Sequence, residues 1–257
     1  MLVFIDADAE ALARRAADLV EQLLAARPAA VLGLAAGATP LRLYAELVER
    51  QLNFAQATVF GLDEYREITG EHRSSCADTL RRHLIERVNL APQRVHLLDG
   101  TVEDDLPAYC AAYEAAIAAA GGLDLQILGL GVNGHVGFNE PGCSLAGRTH
   151  PAALSAATRI TNRPHFPPPG EVPRTAVTMG VGTILAARRV MLLATGGAKA
   201  EMVARMVEGP VTARVPASAL QLHPEAVVLL DEAAASGLAF RADYEASSAA
   251  RRLSFGS

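Results

Sequence analysis

Residues 131–141 read GVNGHVGFNEP, three glycines set around Asn133, His135 and Glu140. Glycine supplies backbone freedom that a merely packed loop does not need. A carboxylate five residues from a histidine can orient the imidazole and set its tautomer. A lone histidine is usually structural, but in this company the loop reads as acid–base machinery. A zinc reading of His135 with Glu140 lacks a third ligand at sensible spacing. A second set, Asp63-Glu64-Tyr65, follows an apolar run. It is either a helix cap or a carboxylate at the mouth of a cleft, where partial desolvation would raise Asp63 toward the basicity of a general base.

Two glycine-bearing turns carry a different chemistry. In AAGATP (35–40), Ala36, Gly37, Ala38 and Thr39 stand where a strand would turn into a helix. Free N–H groups and the partial positive charge of a helix end suit a phosphate there, although a plain Thr cap followed by Pro also explains the pattern. The second turn is TGGAK (195–199). The chain has 23 Lys and Arg residues, and Lys199 is its single lysine. A chain that otherwise writes positive charge as arginine keeps one compact, flexible ammonium here. Together the turns read as a two-sided monophosphate cradle. Neither is a GxGxxG or a Walker loop, so nucleotide binding is disfavoured.

The elements that must position these groups alternate between strand and helix. The apolar runs 29–35, 57–62, 94–98, 123–130 and 226–231 read as strands, as do AVTMG (176–180) and RRVMLLAT (188–195). Helical spacing places Leu12, Ala16, Leu19, Leu23 and Leu24 on one face. Further helices are predicted after AAGATP, over 75–88, over 103–120 with Gly121-Gly122 as the stop, and from near Lys199. The stretch 147–173 breaks the rhythm. Its PHFPPPGEVP is too rich in proline for helix interior or central strand and reads as an extended flap, a lid over a site. Unbroken apolar strands in βα order predict a mostly parallel sheet with helices on both faces. Ligands bind beyond the carboxyl ends of such strands, and AGAT, DEY, GVNGHVGFNEP and TGGAK all fall there. They are read as one site.

Composition narrows the classes. With 257 residues, 51% of them hydrophobic, and a mean hydropathy of +0.20, the chain is expected to fold as a packed α/β domain over 1–246, with a tail at 247–257 that frays. No apolar run reaches the roughly 18–20 residues of a membrane span, and MLVFIDADAE lacks the pattern of a secretory leader. Cys76, Cys110 and Cys143 show no CxxC spacing and fit free thiols in the cytoplasm. A net charge of −5 with no basic run speaks against nucleic acid. The residues alone therefore predict an acid–base enzyme for a small phosphorylated substrate, without metal, flavin or nucleotide cofactor.

LDEY, LGLGVNGHVGFNEPG, AVTMGVGTIL and VPASALQLHP together resemble the glucosamine-6-phosphate deaminase family, from about residue 30 to 231. The resemblance implies a Rossmann-like α/β fold that isomerises and deaminates glucosamine 6-phosphate to fructose 6-phosphate and ammonia. It implies Asp63 as the base at C2 and His135, partnered by Glu140, as the promoter of ring opening. It implies a phosphate site of Ala36 to Thr39, Lys199 and a flap arginine, assigned to Arg163 through a one-residue deletion. Some members carry Asp where this chain has Asn133. The relay is therefore expected to run from His135 to Glu140, with Asn133 only positioning it. His150 and Ala152 replace a basic pair of allosterically activated members, so activation by an N-acetylated sugar phosphate is expected to be absent. The resemblance leaves a homo-oligomer open. The competing readings are a galactosamine-6-phosphate deaminase, a 6-phosphogluconolactonase and a non-enzymatic sugar-phosphate sensor. FNEP after GH and a base at Asp63 disfavour the second, and an intact acid–base set disfavours the third.

Overall fold

The computed structural model describes residues 1–250 and Phe255. Seven strands form a fully parallel sheet: β1 (Leu2–Asp6), β2 (Val31–Leu34), β3 (Thr58–Gly61), β5 (Val95–His96), β6 (Leu125–Gly129), β9 (Val190–Ala194) and β10 (Ala226–Asp231). Their order is β1-β10-β9-β6-β2-β3-β5. Three more, β4 (Asp63–Tyr65), β7 (His150–Ala153) and β8 (Thr175–Thr178), form a small antiparallel sheet in the order β4-β8-β7.

The apolar runs are unbroken because both faces of the large sheet are covered. In β10, Val227 and Leu229 join one core, while Val228 and Leu230 join the other. Helices α1 (Ala9–Ala26), α2 (Ala38–Glu49) and α3 (Cys76–His83) cover the first face through Leu12, Leu43 and Leu80. On the second face lie α4 (Leu106–Ala119) with Ile117, and a short α6 (Val181–Leu185) with Ile184. Also there are α7 (Ala200–Val207) with Val203 and α8 (Glu232–Ala235) with Ala234. Each buried Leu, Ile or Val among these contributes about 1.5–3 kcal/mol. Between α4 and α6 in the chain, α5 (Ala156–Asn162) stands over the strand ends, and α9 (Arg241–Ala250) lies against β1.

Three features differ from the sequence expectation. The N-terminal run 2–6 is a strand at the edge of the sheet, paired with β10. The stretch 147–173 is not an extended flap. It contains β7, then α5 capped by the Ser155 hydroxyl, which accepts from Thr158 N at 3.1 Å, and a 3-10 turn, Arg163–His165. Residues 147–149, 154–155 and 166–174 lie outside these elements, and the proline argument holds only for 166–174. The expected frayed tail is helical as far as Ala250, while 251–254 and 256–257 lie outside the described residues. Phe255 is buried against Arg189, whose guanidinium covers its ring, and its N–H reaches the Gln22 side chain at 3.2 Å. An aromatic anchor with a cation over its face explains why the chain is held there.

The seam between the sheets positions the chemistry. At Leu62 the chain leaves β3: Leu62 N donates to Leu34 O of the large sheet, and Leu62 O accepts from Met179 N just after β8, both at 2.8 Å. The next residue is Asp63, paired in register with Thr178.

Candidate active site

A cleft of about 440 Å3 opens beyond the carboxyl ends of β2, β3 and β6, with Asp63, His135, Thr39 and Lys199 all on its wall. The strand-end clusters do converge. Cys76 and Thr79 from α3, and Thr158, Thr161 and Asn162 from α5, complete the lining.

The three residues of β4 divide their work. Asp63 faces the cleft, and burial, reinforced by the nearby Glu64 carboxylate, pushes its pKa up to about 7 against a hydrogen bond from Cys76. Such a carboxylate is half ionised near neutrality and returns a proton as readily as it takes one. Glu64 points the other way and is fully buried. Its oxygens accept from Tyr65 N (2.8 Å), the Ser75 hydroxyl (2.7 Å), Cys76 N (3.0 Å) and Ala77 N (2.9 Å). It therefore satisfies the first N–H groups of α3 and fixes that wall. The Tyr65 hydroxyl accepts from Asn162 Nδ2 of α5 at 2.8 Å, tying β4 to the helix over the cleft.

The glycine loop brings its acid–base groups within reach of Asp63. At Gly131 a Cβ would lie 2.3 Å from His135 Nδ1, so only glycine lets the ring fold back over the loop. At Gly137, with φ +56°, a Cβ would lie 2.8 Å from Thr178 Oγ1 and 3.3 Å from Asp63 Oδ2. That closeness lets the two strand ends meet. His135 Nδ1 lies 2.6 Å from Asn133 Oδ1, and Asn133 Nδ2 donates to Glu140 Oε2 at 2.7 Å. His135 Nδ1 is 3.9 Å from Glu140 Oε2. The direct His135–Glu140 pairing is thus corrected: the Asn133 amide stands between them. A carboxylate only accepts at this distance, so the amide must turn its NH2 to Glu140 and its oxygen to the ring. Nδ1 then carries the hydrogen, and Nε2 keeps the lone pair. Burial lowers the His135 pKa, Lys199 adds to this and Glu140 opposes it, so the ring is neutral at rest. Burial pushes Glu140 up, but hydrogen bonds from Thr158, Asn133 and Ser155 N bring it below its ordinary value.

The two glycine-bearing turns meet at the cleft. Gly37 is the N-cap of α2 and makes no side-chain cap bond, so Ala38 and Thr39 present a bare first turn to the cleft beside Ala36. The Thr39 hydroxyl lies 3.3 Å from that of Thr195, at the start of the second turn. Lys199 closes a 3-10 turn, Gly197–Lys199. Its Nζ donates to Leu130 O at 2.7 Å, and burial pulls its pKa down. The Asp231 carboxylate accepts from Gly196 N at 2.9 and 3.0 Å and anchors this turn.

Arg163 is the expected site residue that the fold does not bring in. Its guanidinium donates to Phe166 O at 3.1 Å and to Gly170 O, carbonyls of the stretch that follows its turn. It is absent from the cleft wall, as are Asn133 and Glu140, but those two connect to His135 through Asn133 and Arg163 does not. Arg73, Arg82 and His165 stand at the rim instead. Sequence reasoning also missed Thr158 and Asp231. Their surroundings, TRITN and LLDE, have no spacing that marks them; only the fold does. Among the described residues no three His, Cys, Asp or Glu side chains gather as metal ligands, and no helix is long and apolar enough to cross a membrane.

Comparison with known proteins agrees with this geometry. The profile of the family described as glucosamine-6-phosphate isomerases/6-phosphogluconolactonase matches residues 6–229. The chain is 49% identical over 241 residues to a glucosamine-6-phosphate deaminase of Pseudarthrobacter chlorophenolicus, covering 93% of each protein. It is 51% identical over 233 residues to one of an Arthrobacter species, covering 89% of each. A solved structure described as a monomeric glucosamine-6-phosphate deaminase superposes with a TM-score of 0.88 at 38% identity, covering 92% of this chain and all of that one. A 6-phosphogluconolactonase from Trypanosoma brucei shares the fold, with a TM-score of 0.75 at 22% identity over 93% and 98% of the two chains. By sequence, fold and site geometry, the chain belongs to the glucosamine-6-phosphate isomerase/6-phosphogluconolactonase family.

Proposed function

We propose that this chain converts glucosamine 6-phosphate to fructose 6-phosphate and ammonia by acid–base catalysis. One observation carries the reading: in a single cleft, a carboxylate with a pKa of about 7 stands across Gly137 from a neutral histidine whose Nε2 is free to accept. The first turn of α2 and Lys199 anchor the phosphate, so binding energy from the unreactive end orients C1 and C2. His135 Nε2 takes the proton of the anomeric hydroxyl and returns it to the ring oxygen, which opens the ring. Asp63 removes the C2 proton to form an enolamine and delivers a proton to C1. The resulting imine at C2 takes up water and releases ammonia, leaving the ketose phosphate.

The 46–51% identity to curated glucosamine-6-phosphate deaminases supports this substrate over its C4 epimer. The three free thiols, Cys76, Cys110 and Cys143, agree with action in the cytoplasm. The test measures ammonia release from glucosamine 6-phosphate and galactosamine 6-phosphate beside hydrolysis of a 6-phosphogluconolactone. Ammonia is expected, with the gluco epimer preferred. No ammonia from either sugar ends the reading, and lactone hydrolysis without ammonia would hand the site to the other branch of the family.

A further inference from the structure

Asn133 orients its neighbours but breaks a proton path. An amide cannot accept a proton from His135 and release one to Glu140 near neutral pH, as a carboxylate at 133 could. The fold supplies a hydroxyl beside the gap. Thr158 of α5 is 1% exposed, and its Oγ1 lies 3.4 Å from His135 Nδ1, a second acceptor beside Asn133 Oδ1. The Ser155 hydroxyl donates to Thr158 Oγ1 at 3.1 Å, so the Thr158 hydrogen must point elsewhere. Glu140 flanks the same atoms: its Oε1 takes Ser155 N at 3.1 Å and its Oε2 lies 3.9 Å from His135 Nδ1. Against the upward push of burial, the Thr158 hydroxyl leads the hydrogen bonds that lower Glu140.

We propose that Thr158 is a positioning residue for this reaction, its hydroxyl bridging His135 Nδ1 to Glu140 and carrying the proton that Asn133 cannot. When Nε2 takes the anomeric proton, the Nδ1–H bond breaks and its proton passes to Thr158 Oγ1. The Thr158 O–H proton passes in turn to Glu140. Imidazole and hydroxyl both end neutral and Glu140 ends protonated; the shifts reverse as Nε2 releases its proton to the ring oxygen. His135, Asn133 and Glu140 belong to one loop, whereas Thr158 belongs to the helix over the cleft. The relay is therefore complete only when α5 is seated.

The inference rests on the reaction proposed above, and its test separates the two. Ammonia release from glucosamine 6-phosphate is measured for the wild type, Thr158→Val, Thr158→Ser, Asn133→Asp and Thr158→Val with Asn133→Asp, with a melting curve for each. Valine keeps the shape and removes the hydroxyl, and Thr158→Ala repeats the test should valine not fold. Expected for Thr158→Val is a fall in kcat on the order of ten- to a hundredfold, within the range of acid–base effects, with KM changed less than about twofold. Thr158→Ser should regain most of the rate. Asn133→Asp should recover at least about tenfold when placed on Thr158→Val, because a carboxylate restores a proton carrier. The proposal fails if Thr158→Val keeps kcat within about twofold of wild type. It also fails if neither serine nor the added aspartate restores the loss, or if the losses follow the melting temperatures. A wild type that releases no ammonia would remove the reaction itself, a different result.

Discussion

The two walls of the cleft are made differently. The wall proposed to hold the phosphate is backbone: the first turn of α2, after β2, and the turn 197–199, after β9, which carries the Lys199 ammonium. The acid–base wall is side chain. Asp63 of β4, His135 of the glycine loop and Thr158 of α5 face the cleft, and the loop adds Asn133 and Glu140, with 2.6 Å from Asn133 to His135, 2.7 Å from Asn133 to Glu140 and 3.4 Å from Thr158 to His135. A backbone site tolerates changes of side chain around it, whereas a mutually bonded set fails when one member leaves. The first wall should therefore govern binding and the second turnover.

The largest effect is expected at Asp63. Asp63→Asn should lower kcat by at least about a thousandfold with little change in KM, and steady-state ammonia release checks it. The wild-type rate has a matching pH dependence. Asp63 must be ionised to take the C2 proton, and burial has raised its pKa to about 7. In kcat/KM profiles the rate should fall as pH drops through about 7, well above the range of an ordinary carboxylate.

A smaller effect divides the walls. Lys199→Ala removes a charge-assisted contact worth about 1.5–3 kcal/mol and should reduce kcat/KM roughly ten- to a hundredfold, most of it in KM. Arg163→Ala is the control. Its guanidinium is spent on the carbonyls of the stretch that follows its turn, so KM should move less than about twofold. A large rise in KM for Arg163→Ala would show that the lid turn rearranges on the substrate.

Glu64→Gln sharpens the contrast within a single strand. Its neighbour Asp63 is the proposed base, but Glu64 serves the end of α3, so this change should cost about 1–3 kcal/mol of stability, seen in denaturant melts. The smallest expected effect is none. With His150 and Ala152 on β7, an added N-acetylated sugar phosphate should leave the rate curve unchanged.

How much of this was legible in the sequence follows the same division. The backbone wall could be read because glycine turns after apolar strands are local signals, and Ala36 to Thr39 and Lys199 lie where the pattern put them. The order of partners within the relay could not. Spacing brought Glu140 near His135, but which atom of Asn133 faced which neighbour depends on a loop folded back over Gly131. Counting along an extended flap puts Arg163 at the phosphate, whereas a helix with a 3-10 turn carries its guanidinium to the carbonyls of Phe166 and Gly170. Strand β1 was passed over because a five-residue run without flanking turn signals declares itself only by pairing with β10, far along the chain.

Leu62 has an evolutionary consequence. Bonded to the large sheet on one side and to the residue after β8 on the other, it sets the phase of the three residues that follow. Side chains on a strand alternate, so one residue inserted or deleted between Gly61 and Tyr65 would exchange Asp63 for Glu64 at the cleft and uncap α3 in the same stroke. Changes of length are thus barred from this joint and left to the irregular stretch 166–174. The stretch 166–174 carries no such register, so a change of length there would leave the spacing from Asp63 to the large sheet intact.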